Sequence, residues 1–86
     1  MTPAQIKTIY GMTEQLSSDI DNRFRYHAPR GDQGERYQLL RDKAREFAVL
    51  IAVNSPASLE QSLALTKLEE CVMWCNAGIA RNEKVT

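Results

Sequence analysis

Eight consecutive residues, Arg23-Phe24-Arg25-Tyr26-His27-Ala28-Pro29-Arg30, bring together three arginines, two aromatic rings and the only histidine of the chain, with no carboxylate among them. A guanidinium fork matches phosphate oxygens and an aromatic face stacks on a base, so these residue types suit a small nucleotide. An ordinary turn with a solvated basic flank has the same composition. Other chemistry is sparse. Cys71 and Cys75 lie four apart, one helical turn, and read as small buried hydrophobes. A metal site needs more ligands, and only His27 is on offer, far away in sequence, so neither metal nor cofactor is expected. Glu69 and Glu70 point about 100° apart on a helix and do not share a site. With no glycine-rich phosphate loop, no paired-histidine motif and no base beside either thiol, the sequence does not read as an enzyme.

The totals set further bounds. Eighty-six residues make one domain at most, with a marginal core unless subunits associate. Eleven basic residues balance eleven acidic ones, which argues against a protein that coats DNA or RNA polymers. A small anion, which needs only a few placed cations, stays open. No apolar run approaches the roughly 20 residues of a membrane span. Lys7, Glu14 and Asp19 punctuate the N-terminal stretch, so no signal region is read there and a reducing compartment is expected.

The elements that must position these residues read as all-α, one helical domain over 1–86. An N-terminal helix spans 1–21. Thr2 is its N-cap, Pro3 its first residue and Gln5 the close of a capping box, and Ile6, Ile9, Thr13, Leu16 and Ile20 form its stripe. Gly11 weakens it by about 1 kcal/mol. The basic aromatic segment occupies 22–31, with Ala28 extended before its proline. An antiparallel helical hairpin follows over 32–82. Its first helix opens on a capping box at Asp32 and carries Tyr37, Leu40, Ala44, Phe47 and Ile51; Asn54-Ser55-Pro56 stops it. Its second opens on a box at Ser58 and carries Leu65, Leu68, Val72, Cys75 and Ile79. Each helix is about 30 Å long. Leu59, Leu63, Met73 and Trp74 fall off the stripe, and Ala77, Gly78 and Ala80 permit close approach, so the hairpin is expected to oligomerise. A monomeric bundle, with the N-terminal helix covering the second face, is the other solution.

Read together, Arg23 to Arg30, Glu35-Arg36-Tyr37, Leu40-Arg41, Ser62 to Glu70 and Met73 to Arg81 resemble, in this order and spacing, the phage-encoded anti-CBASS cyclic-oligonucleotide sponges. Their helical hairpin is shared with sponges directed against the Thoeris defence. The resemblance covers about residues 22 to 82. It implies a non-cleaving binder that sequesters cyclic di- or trinucleotide immune messengers as a compact homohexamer in the cytoplasm of the infected bacterial host. It also implies two kinds of pocket. Tyr26, His27, Pro29, Arg30, Arg41 and Lys43 fall to the cyclic dinucleotide pocket, with Tyr26 stacking on a base and Phe24 anchoring the turn. Arg81, Asn76 and Thr66 fall to the trinucleotide pocket, with Arg81 copies around a symmetry axis; an arginine in the last helical turn also suits the helix dipole. Two departures stand out: Ala28 replaces the first of two prolines, and residues 1 to 20 exceed the shortest members. A helical protein–protein interaction module, a sponge for cyclic ADP-ribose isomers and a weak phosphodiesterase are the competing readings.

Overall fold

The structure, a computed structural model, describes residue 2 and residues 11–84. Three helices follow in order among them: α1 (Glu14–Phe24), α2 (Gln33–Asn54) and α3 (Leu59–Asn82). None of the described helices is long and apolar enough to cross a membrane.

The N-terminal helix expected over 1–21 takes a different course in its described part. Gly11 has a left-handed φ of 63° and Gly11 to Thr13 are not helical. Thr13, read as a stripe residue, is instead the N-cap of α1, its hydroxyl accepting the Leu16 N–H at 3.1 Å. A glycine able to turn left followed by a hydroxyl cap is a stronger local signal than the continuing stripe. α1 also runs on to Phe24, into the basic segment, and ends at an extended Arg25. The portion of the expectation on residues 3–10 lies outside the described residues.

The capping box at Asp32 does not form. Gly31 takes a φ of 53°, Asp32 sits at φ −89°, ψ 9°, and Gln33 donates its N–H back to Arg30 O at 2.9 Å. This turn keeps the Asp32 backbone out of the extended shape a cap needs, and its carboxylate pairs with Arg36 at 3.1 Å instead. At the other end Ser58 does cap α3, accepting from Gln61 N–H at 3.1 Å. The Gln61 amide then reaches across the turn, donating to Ser55 O at 3.0 Å, Ser55 Oγ at 3.1 Å and Ala52 O at 3.3 Å. Gln61→Ala is therefore expected to destabilise the hairpin by about 1–3 kcal/mol in urea melts, with the helical content unchanged.

α2 and α3 pack as the antiparallel hairpin. The less exposed positions on the facing sides are Gln33, Tyr37, Leu40, Ala44, Ala48, Ile51 and Ser55 on one helix, and Gln61, Leu65, Leu68, Val72, Asn76, Ile79 and Glu83 on the other. Both series step 4-3-4-4-3-4, about 3.67 residues per turn, the eleven-residue pattern rather than the heptad. Two expected stripe residues are thereby displaced. Phe47 is 54% exposed and Cys75 is exposed, with Ala48 and Asn76 holding their places. A heptad seam would require supercoiling, whereas this period stays close to that of a straight helix.

The described chain buries little. Met12 and Gln33 are its buried residues, and of the two only Gln33 is fully enclosed. α1 leaves the second face uncovered: Leu63, Met73 and Trp74 remain 51–65% exposed. The accessible surface is 6899 Å² for 9.8 kDa, where a compact monomer of that mass has about 5,200 Å².

Candidate functional site

The Tyr26 segment is an exposed loop held at both ends. His27 Nε2 lies 2.8 Å from Asn22 O; a carbonyl only accepts, so Nε2 carries the proton and donates. Asn22 Nδ2 donates to Arg81 O at 3.2 Å, linking the end of α1 to the last turn of α3. At the far end Arg30 N–H donates to Gln33 Oε1 at 2.9 Å, and the Arg30 guanidinium donates to Glu83 O at 3.1 Å. Tyr26 stands between these ties, 84% exposed.

The basic character of the segment is partly neutralised. Arg23 pairs with Asp19 at 2.8 Å, and Arg25 lies 3.9 Å from Asp21, each one helical turn back. Phe24 does not anchor the turn in the described chain: it is 84% exposed and lines a cavity of about 520 Å³ with Trp74, Gly78 and Arg81. No atom lies within 4 Å of where a Cβ on Gly78 would stand, so this wall is open.

A second groove, about 640 Å³, runs beside the hairpin seam. Its polar wall is Arg41, Arg45, Glu69 and Asn76, and its floor includes Ala44, Leu68 and Val72. Arg41 donates to Gln38 Oε1 at 3.1 Å. Asn76 Oδ1 is buried with no hydrogen-bond partner, as is the Tyr37 hydroxyl. An unpaired buried acceptor is costly and suits a donor brought by a ligand or a neighbouring chain.

The expected site residues are thus divided within one chain. Tyr26, His27, Pro29 and Arg30 belong to the loop. Arg41 belongs to the seam groove, whereas Lys43 lies about 200° further round α2 and pairs with Glu46 at 3.4 Å. Asn76 sits in the groove with Arg41, Arg81 in the cavity with Trp74, and the exposed Thr66 lines neither. No group of three or more potential metal ligands occurs among the described residues.

Sequence reasoning missed the group that closes the open end of the hairpin. Arg36 grips both oxygens of the Glu83 carboxylate, Nη1 to Oε2 at 2.8 Å and Nη2 to Oε1, while Gln33 Nε2 donates to Oε1 at 3.2 Å. The Arg36 guanidinium, with the Gln33 amide beside it, holds the Glu83 carboxyl below its ordinary value of 4.5, and the Arg36 pKa is raised in return. A depressed carboxyl stabilises the fold fully above its unfolded-state pKa and loses that contribution as pH falls through its folded value. Melting temperatures of the wild type and Glu83→Gln should therefore differ near neutral pH and converge on acidification below 4.5.

The family model described as the Acb2/Tad1 hairpin domain matches residues 17–80, which include α2, nearly all of α3 and the Tyr26 segment. No curated protein and no solved structure gives a significant match. With most of its length matched, and with the segment followed by the hairpin, this chain belongs to the Acb2/Tad1 hairpin-domain family, the phage anti-defence sponges of cyclic nucleotides.

Proposed function

We propose that the chain binds cyclic dinucleotide or trinucleotide messengers of bacterial immunity, or both, and sequesters them without cleavage, as a homohexamer in the cytoplasm of the infected cell. The observation that carries this reading is Tyr26, an exposed ring on a segment tied at both ends, in a chain of the sponge family. A pre-ordered aromatic offers a stacking face at low entropic cost. Arg41 and Asn76 support it with a cation and an unpaired acceptor along one groove. The excess of exposed apolar surface supports assembly, and pockets closed between subunits would enclose a ligand on several sides. Outcompeting an effector requires roughly nanomolar affinity, about −12 kcal/mol.

Calorimetric titration against a panel of cyclic di- and trinucleotides, followed by chromatography of the heat-released ligand, tests this directly. Tight binding with intact ligand recovered is the expected result, and cleaved ligand would make the protein a phosphodiesterase. No heat with any of them, but heat with a cyclic ADP-ribose isomer, would move the ligand class. No heat with either would favour a protein-interaction module using the exposed Leu63, Met73 and Trp74.

A further inference from the structure

Both ends of the Tyr26 segment hang from the last turn of α3. The front tie runs from His27 through Asn22 to Arg81 O, and the rear tie from Arg30 through Gln33 to Glu83. The rear tie depends on which way one amide points. Gln33 is 1% exposed, and its Oε1 can accept from Arg30 N–H only while its Nε2 faces an acceptor. The nearer acceptor is the Glu83 carboxylate at 3.2 Å, itself clamped by Arg36 on α2; the other, Ile79 O at 3.5 Å, already accepts the Glu83 N–H. The backbone carbonyl of Glu83 meanwhile receives the Arg30 guanidinium. Charged groups from α2 and from the segment, Arg36 with its partner Asp32 and Arg30, thus face this residue, which lies just beyond the matched residues 17–80.

We propose that Glu83 is a positioning residue for ligand binding, holding the Gln33 amide in the orientation that fixes Arg30 and thereby the shape in which Tyr26 is presented. The proposal rests on Tyr26 as the stacking residue. Without the carboxylate the amide keeps only the long contact to Ile79 O to hold its direction, and when flipped it sets two donors against each other at Arg30. The segment is then competent for only part of the time, and apparent affinity falls by that fraction. The bound conformation is unchanged, so the loss falls on the association rate.

The experiment compares wild type, Glu83→Ala, Glu83→Gln and Tyr26→Ala, using the cyclic dinucleotide that the wild type binds most tightly. Exchange of the Arg30 amide is measured without ligand, and association and dissociation rates with it. Glu83→Ala is expected to speed Arg30 exchange by more than that of the interior amides of α2 and α3, whose protection falls only with the global stability, and to slow association about tenfold with dissociation unchanged. Glu83→Gln, which keeps an acceptor for Gln33, recovers part of both. Unchanged Arg30 exchange overturns the proposal whether or not any nucleotide binds. A faster dissociation alone would place Glu83 on the ligand, and a loss of protection no greater at Arg30 than in the helix interiors would make it a stability residue only; either also overturns it. Unaltered affinity in Tyr26→Ala, with Arg30 exchange still dependent on Glu83, would strike the stacking role and leave the positioning of the segment standing.

Discussion

Tyr26→Ala is expected to weaken cyclic dinucleotide binding by about 30-fold or more while leaving the mass of the particle unchanged. Stacking on one base contributes about 1–3 kcal/mol, and a cyclic dinucleotide offers two bases. If two chains each present a Tyr26, the loss is about 2–6 kcal/mol, roughly 30-fold to more than 10,000-fold in Kd. Assembly should survive, because the ring is exposed and the ties that hold its segment are made by Asn22, His27, Arg30 and Gln33. Tyr26→Phe retains the aromatic face and should bind within a few-fold of wild type. Calorimetry reads the affinity and light scattering the mass. Unchanged affinity in Tyr26→Ala would remove stacking from the account.

Arg81→Ala should damage cyclic trinucleotide binding selectively. A hydrogen bond to a charged group contributes about 1.5–3 kcal/mol, and three copies around an axis would multiply that to a loss of a thousandfold or more. The variant keeps the Arg81 carbonyl that Asn22 uses, so the front tie of the Tyr26 segment persists. Dinucleotide affinity is therefore expected to change little. Parallel titrations with both ligand classes decide the matter: equal losses would contradict separate pockets. Such cations gathered around an axis would repel one another without ligand, so trinucleotide should raise the melting temperature of the wild type more than that of Arg81→Ala.

The hairpin was legible in the sequence because its turn carries unambiguous punctuation, Asn54-Ser55-Pro56 followed by a Ser58 cap, between two apolar series at helical spacing. The register of its seam was not. A 3.5-residue and a 3.67-residue pattern agree for the first two turns and then part by one position, which moved Phe47 and Cys75 outward and brought Ala48 and Asn76 in. Asp32-Gln33-Gly34-Glu35 resembles a capping box, but Gly31 with its positive φ sets the backbone before the cap has a say. The pairing of Arg23 with Asp19 follows from i,i+4 spacing and tempers the charge of the basic run. The Arg36–Glu83 clasp had no local signal, since its partners are 47 residues apart and Glu83 follows the end of its helix. Likewise, Arg41 and Asn76, assigned to different pockets, share one groove, while Lys43 and Arg81 fall outside it. Chain order cannot settle that without the seam's true period.

That period also sets how the hairpin can change length. Gln33, Ala44 and Ser55 recur every eleven residues along α2, as Gln61, Val72 and Glu83 do along α3. Matched insertion or deletion of eleven residues in both helices keeps the seam facing inward and shifts the turn by about 16 Å relative to the Tyr26 end. A seven-residue block would rotate the partner faces by roughly 30° and misalign the glutamines that tie each end. Indels between divergent relatives should therefore fall in paired blocks of eleven, which makes hairpin length a discrete variable for evolution and for engineering wider grooves.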